Sequence, residues 1–355
     1  NMLLYIIISI VSLVVLVALH ELGHFLVAKY YNVRVDEFGI GIPPKICSKK
    51  IGETEYSLNL LPIGAFVSMY GEDKAAEGER SFSQKPIYQR ALILLAGVVA
   101  FWIVAFFLLT LMAIIGVPEI ISDDIESPNA KVMIIGLEND YPALAAGLEL
   151  GDVILSLESS TEKLDVSKTI EAREFLSNYA KEPITLTIER GRNQENIVVQ
   201  SLEESGIVGF YLARTEITKY PWYRAPIYGA TMTGDITFQV VKILGTSIKN
   251  ILLREELPPG VQVAGPVGIV KDFFVGAIDR GIVDYLQVMV MVSISLAIFN
   301  LMPIPALDGG RLLFLLIEKI KGVPISEKVE QSLVAISFMI LIGIFVIVTF
   351  HDIFR

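Results

Sequence analysis

Cysteine, histidine and charge are all scarce in this 355-residue chain. Cys47 is the one cysteine, so no internal disulfide framework can form. Charged residues make up 19% of the chain and hydrophobic residues 53%, whereas soluble domains carry about 25% charged residues. That deficit excludes an ordinary soluble domain and points to a membrane-embedded class. Basic residues are the scarcer sign, 29 Lys+Arg against 39 Asp+Glu, and a net charge of −10 argues against nucleic acid as a partner. The acid excess is confined. Residues 117–286 hold 15 basic and 25 acidic residues, and the remainder balances at 14 each. This acidic segment is expected to behave as a separate soluble unit. Of the three histidines, two sit four residues apart, at His20 and His24.

What the chain has in excess is long apolar runs. Four are candidate membrane spans: Met2 to about Ala28, Ala91 to Val117, Leu286 to Leu301, and Val329 to Phe350. The first has no basic flank and no small-x-small cleavage site, so it reads as a retained helix rather than a signal peptide. Basic residues near the span ends cluster in two short loops. Lys29, Arg34, Lys45, Lys49, Lys50, Lys85 and Arg90 lie in one, and Arg311, Lys319, Lys321 and Lys328 in the other. The positive-inside rule puts both loops in the cytoplasm, and the acidic segment with both chain ends outside.

His20-Glu21-Leu22-Gly23-His24 interrupts the first run. Ionisable groups inside a membrane-length segment are costly and are functional candidates by default. Four residues apart on a helix, the two imidazoles share a face and can hold one zinc ion, with Glu21 beside them as a general base. The competing reading is two chance histidines on a helix. Glu21 lies eight residues before Lys29, or about 12 Å along a helix, which places this centre inside the bilayer near its cytoplasmic surface. A catalytic zinc wants three protein ligands and one open position. The stretch Asn300-Leu301-Met302-Pro303-Ile304-Pro305-Ala306-Leu307-Asp308-Gly309-Gly310 offers Asp308 as the third. The prolines must break the helix and the glycines permit a tight turn, so Asp308 is expected on irregular backbone in a cavity. Asn300 is a candidate for holding substrate backbone or a developing oxyanion.

Between the first two spans, Phe38-Gly39-Ile40-Gly41-Ile42-Pro43 and the alternating Glu55–Leu60 suggest a small sheet or hairpin dipping toward the membrane. Its edge could take an unwound substrate as an added strand; a purely structural hairpin is the alternative. Lys131–Leu137, Ile184–Glu189 and Asn196–Val199 read as strands and Ser167–Tyr179 as a helix. Pro142-Ala143-Leu144-Ala145-Ala146-Gly147-Leu148 followed by Gly151-Asp152-Val153-Ile154 resembles the signature of a bacterial protease-type PDZ domain. Such a domain would bind peptides at a sheet edge or exclude folded ectodomains. Trp222–Leu253 is amphipathic at helical spacing. It is expected to lie on the outer membrane surface, or else to pack on the soluble unit.

H-E-L-G-H in a first span followed far downstream by N-L-M-P-I-P-A-L-D-G-G resembles the site-2 protease family of intramembrane zinc metalloproteases. With a single PDZ insertion after the second span, the chain is most similar to the bacterial regulator-of-sigma-E, or RseP, branch. Tyr56–Asp73, Ser81-Phe82, Lys85-Pro86, Arg90-Ala91 and Val263–Gly268 match family segments as well. The resemblance implies a polytopic α-helical membrane protein of about four transmembrane helices, with a membrane-associated β-region and an inserted α+β PDZ domain. It divides the chain into residues 1–30 (first helix), 31–90 (cytoplasmic-side loop with the β-region) and 91–117 (second helix). The PDZ domain then covers 128–208 and the amphipathic membrane-surface region 222–285, followed by the third helix at 286–310 and the fourth at 329–351. It implies one catalytic zinc ion on His20, His24 and Asp308, with Glu21 and Asn300 catalytic. Asn300, Gly39, Gly41 and Gly64 would contact substrate. The expected substrates are single-span membrane proteins already trimmed by another protease, such as anti-sigma factors, and remnant signal peptides. Membrane lipid and a peptide tail at the PDZ domain are further partners. The expected setting is a bacterial cytoplasmic membrane, with the PDZ domain on the extracytoplasmic side. Many members read Ala-Gly-Pro-x-x-Asn in the second helix; here the stretch is Ala96-Gly97-Val98-Val99-Ala100-Phe101. The rival from another class is a catalytically silent scaffold that binds peptides through its PDZ domain. It is disfavoured because Glu21 and all three ligands are present.

Overall fold

A largely apolar run with no proline, interrupted by the His20–His24 stretch, forms α1, Met2–Tyr30. At 1.5 Å per residue its 29 residues span about 43 Å, more than the roughly 30 Å of a hydrocarbon core. Asn32 ends it in the left-handed region (φ 55°), and the Val33 amide closes on the Ala28 carbonyl at 2.8 Å. The computed structural model describes residues 2–72, 75–138, 141–180, 182–191, 193–200, 208–255 and 265–354. Arg192 of the expected turn, residues 201–207 at the end of the expected PDZ domain, Asp73 and the Val263-Ala264 lead-in lie outside the described residues.

Two long strands follow, β1 (Val35–Ile51) and β2 (Thr54–Met69). They form more than a simple hairpin. Phe38 pairs with both Tyr56 and Val67, and Gly39 with both Ser57 and Phe66. The first half of β1 therefore lies between the two halves of β2, and the second half of β1 (45–51) covers the far side of 54–59. Gly41 makes the bend possible: it sits at φ +81°, and a Cβ there would meet the Leu61 carbonyl oxygen at 2.6 Å. Asn59 holds the bend by donating to the Gly41 carbonyl at 3.2 Å. At the tip, Glu53 receives Lys29 at 2.5 Å and both ends of the Arg80 guanidinium at 2.6 Å. These cations hold the Glu53 carboxyl down to about 2.

α2 (Ile87–Ile115) returns antiparallel to α1 and ends at Gly116, φ +128°. The chain passes straight into a seven-stranded sheet. Its strands are β3 (Val117–Ile120), β4 (Lys131–Leu137), β5 (Val153–Glu158), β6 (Lys163–Asp165), β7 (Ile184–Arg190), β8 (Asn193–Val199) and β9 (Phe210–Thr218). The order is β3-β9-β4-β5-β7-β8, with β6 on β5. Two short helices, α3 (Pro142–Ala145) and α4 (Thr169–Asn178), close a core of Ile134, Leu148, Ile154, Leu157, Leu186 and Ile188. The unit is wider than residues 128–208. Its first strand pairs with β9 across about a hundred residues of chain, a non-local ladder that leaves no local signature.

α5 (Ala225–Leu253) packs along the C-terminal half of α2, where Gly229 lets it approach Thr110 and Phe106. It does not pack on the sheet unit's core. α6 (Pro266–Gly268) runs through a π-helical stretch (Ile269–Val275) into α7 (Gly276–Arg280). α8 (Ile282–Leu301) descends beside α2, where the buried Ser293 donates to the Phe101 carbonyl at 2.8 Å. After a break at 302–307 come α9 (Asp308–Lys321) and α10 (Glu327–Phe354). Among the described residues, five helices (α1, α2, α5, α8 and α10) are long and apolar enough to cross a membrane, where about four were expected. The chain is a polytopic membrane protein with a β-region. α5 coincides with the amphipathic helix expected over Trp222–Leu253; it falls outside the four expected spans because Asp235, Lys242 and Lys249 break its apolar runs.

Candidate metal centre

In a membrane helix the face turned inward is the polar one. The buried residues of α1 are Ser9, Ser12, Leu16, His20, His24 and Ala28, a stripe repeating every three or four residues. His20 and His24 are 6% and 4% exposed, so their imidazoles face protein rather than lipid. The stripe lies against α2 because both helices carry small residues at the crossing. A Cβ on Gly23 would meet the Ala96 carbonyl oxygen at 2.4 Å.

The third element arrives from α9. Asp308 is its first residue, preceded by Leu307 in extended conformation. The expectation of irregular backbone at Asp308 is thus corrected to a helix N-terminus. Gly309 and Gly310 serve packing inside the helix rather than a turn. Side chains there would strike the carbonyl oxygens of Leu301 and Met302 at 2.3 Å and of Ile304 at 2.2 Å. The proline-broken segment is folded back onto the start of α9, and this aims Asp308 at α1.

Three ligand atoms converge. His20 Nε2 and His24 Nε2 are 3.2 Å apart. Asp308 Oδ2 lies 3.3 Å from the first and 3.4 Å from the second. Metal–ligand bonds of 2.0–2.1 Å in a tetrahedral zinc site separate the ligand atoms by roughly 3.3 Å. His24 Nδ1 sits 2.8 Å from the Ile93 carbonyl and donates to it, which leaves Nε2 with its lone pair free. Asp308 Oδ2 is buried and, among the described residues, makes no hydrogen bond of good geometry. A buried carboxylate oxygen left without a donor, facing two imidazole nitrogens, fits a cation and not a hydrogen-bond network. The donor set of two nitrogens and one oxygen suits zinc and leaves one position open.

α2 supplies the wall. A Cβ on Gly97 would stand 2.2 Å from His24 Nε2 and 2.7 Å from His20 Cε1, so any larger residue enters the space between the ligands. Phe101, one turn on, stacks on His20 with centroids 4.7 Å apart and planes 17° from parallel. Sequence reasoning missed both roles. The available signal was a glycine inside an otherwise apolar helix, which marks close approach.

Glu21 projects beside the cluster, facing the main chain of Val67 and within electrostatic reach of His24, Asp308 and Glu72. Glu72 in turn pairs with Arg311, one turn beyond Asp308 on α9. Asn300 is folded back on its own helix, donating to the Leu296 carbonyl at 3.0 Å. Gly39 packs under Phe66, Gly41 at the bend, and Gly64 in the left-handed region at φ +81°. All three belong to the β-region: Gly39 and Gly41 lie against strand residues rather than the histidines, and Gly64 faces open space. His351 lies on α10, outside the group of potential ligands.

Residues 8–344 match the model of peptidase family M50. A Clostridium perfringens protein provisionally named a zinc metalloprotease is 33% identical over 351 residues, covering 99% of this chain and 98% of that one. The regulator of sigma-W protease RasP of Bacillus subtilis is 29% identical over 427 residues, with 96% of each chain covered. The regulator of sigma E protease of Haemophilus influenzae is 25% identical over 441 residues, with 98% of each covered. With a two-histidine, one-carboxylate cluster between helices of membrane length, these matches place the chain in peptidase family M50, as a zinc-dependent metalloendopeptidase.

Proposed function

We propose that the chain is a site-2 protease that cuts membrane-spanning segments of single-span proteins inside the bilayer. His20, His24 and Asp308 hold the zinc ion. The observation that carries this reading is the orphaned Asp308 Oδ2 within 3.4 Å of both imidazole nitrogens, between helices of membrane length. When bound, zinc supplies Lewis-acid polarisation and makes water acidic near neutral pH. Glu21 takes the proton of the attacking water on its carboxylate and returns it to the leaving amine. Asn300 releases its intrahelical bond to hold the substrate backbone. Among the described residues the segment 65–69 pairs with β1 on one side only, its other side turned to Glu21, and it takes the unwound substrate as an added strand beside Gly39, Gly41 and Gly64.

Four crossings fit best. The sheet unit follows α2 directly through β3, and it also touches the corner before α8. There Gly191 packs on the Arg280 backbone, and Arg280 bonds Glu149 at 3.1 Å. α2 therefore ends on the side where α8 begins, and α5 between them makes no single crossing. With the basic loops inside, the sheet unit stands on the extracytoplasmic face of a bacterial cytoplasmic membrane. There it acts as a PDZ domain for substrate tails or as a steric gate. Substrates are then proteins already shortened by another protease, such as anti-sigma factors, or remnant signal peptides.

The test is Glu21→Gln in proteoliposomes with a single-span substrate, with zinc measured in parallel. Cleavage is expected to fall by about 10³-fold with zinc retained. Undiminished cleavage sinks the role of Glu21.

A further inference from the structure

The two histidines are held in different ways. A metal-binding imidazole is ordinarily oriented by a hydrogen bond from its second nitrogen, which fixes both tautomer and ring plane. His24 has this support in the Ile93 carbonyl, 2.8 Å from Nδ1. Among the described residues the corresponding Nδ1 of His20 is buried without a hydrogen bond of good geometry, and the Gly97 backbone gives the ring only weak support. An imidazole so placed is free to rotate about χ2 unless something else fixes its plane. The one ring stacked on it is Phe101, nearly parallel at 4.7 Å and only 1% exposed. Phe101 is itself fixed in depth. Its side chain packs with Leu16, Val98, Phe274 and Ala297.

We propose that Phe101 is the positioning residue of His20: its stacked ring makes up for the weak backbone support of that imidazole and keeps Nε2 aimed at the shared metal position. Phe101 touches no reacting atom and acts through His20 alone. The inference rests on the zinc reading above. It makes the site asymmetric, with one ligand polarised by a carbonyl and the other held by shape. A ring without a well-formed hydrogen bond on Nδ1 is the less basic donor. The His20 arm is therefore the one expected to yield first when metal leaves.

The experiment uses the full chain in detergent micelles. Zinc affinity is measured against a competing chelator, and the visible bands of the cobalt(II)-loaded protein report ligand geometry. Phe101→Leu removes the ring at nearly constant bulk. It is expected to weaken zinc binding about tenfold, the lower end for loss of an orienting group, and to shift or broaden the cobalt bands. Ser293→Ala loosens the same α2–α8 contact without touching the ring and is expected to leave both readouts unchanged. A folded Phe101→Leu protein with parental affinity and cobalt bands overturns the proposal, as does a Ser293→Ala protein that loses as much zinc. If Phe101→Leu does not fold, Phe101→Met decides by the same criteria. Failure of both to fold assigns the ring to packing and overturns the proposal. His20→Ala separates the two levels. Zinc unaffected by it defeats the ligand assignment itself, whereas zinc lost by His20→Ala but kept by Phe101→Leu defeats this inference alone.

Discussion

Asp152 and Asp308 are both inward-facing carboxylates, one in the sheet unit and one among the membrane helices, and they are treated in opposite ways. Asp152 is 0% exposed and saturated. Its oxygens accept Arg190 Nε at 2.7 Å, Arg190 Nη2 at 2.6 Å and the Glu149 amide at 2.8 Å. Asp308 has a buried oxygen that makes no hydrogen bond of good geometry among the described residues and faces only the two imidazole nitrogens. The first pattern ties β7 to the turn before β5 and is structural. The second persists only if something outside the chain completes it. Solitary orphaned atoms occur elsewhere, at Asn59 Oδ1, Trp102 Nε1 and Ser247 Oγ among others. The centre is distinguished by three ligand atoms turned toward one point.

The comparison can be broken most forcefully from α2. Gly97→Ala puts a methyl group between the ligands, so zinc affinity is expected to fall by at least about 100-fold, read by competition with a chelator. Unfolding of the sheet unit should be untouched. Zinc retained by this variant would mean that the histidines point elsewhere. A smaller effect lies on the other side. Arg190→Ala strands a buried carboxylate, which costs about 3 kcal/mol, the lower end for a broken buried pair because Arg190 is partly reached by water. Chemical unfolding of the sheet unit should report this loss with zinc content unchanged.

The smallest effect is a pH dependence at the hairpin tip. Glu53 has its folded value depressed to about 2 from an ordinary 4.5 by Arg80 and Lys29. A depressed carboxylate contributes stability above its unfolded value and loses it as pH falls toward the folded one. Proteolytic resistance of the hairpin should therefore decline from about pH 4.5 toward pH 2. Glu53→Gln should remove that decline, and an unchanged acid profile in the variant would discard the triad as its source.

How much was legible follows from the same physics. His20, Glu21, His24 and Asp308 stood out because polar groups inside apolar runs are too costly to be incidental. α9 was not legible. Pro303, Pro305, Gly309 and Gly310 together read as a loop, whereas the glycines lie inside a helix because the carbonyls of Leu301, Met302 and Ile304 press against them. Nor was the doubled pairing of β1, which depends on the bend at Gly41 bringing a second half of β2 alongside. Gly97 and Phe101 sit in a helix that is apolar all round, so periodicity gave no hint of which face met the histidines. The sequence shows only that α2 departs from Ala-Gly-Pro-x-x-Asn; the roles of the wall are a missing side chain at Gly97 and a stacked ring at Phe101.

The most direct test measures zinc per chain and unfolding of the sheet unit in Asp308→Ala and Asp152→Ala prepared side by side. Asp308→Ala should lose its zinc and keep a parental sheet unit. Asp152→Ala should keep its zinc and destabilise the sheet unit. Zinc retained at the parental level by Asp308→Ala would contradict the assignment of that orphaned oxygen to the metal.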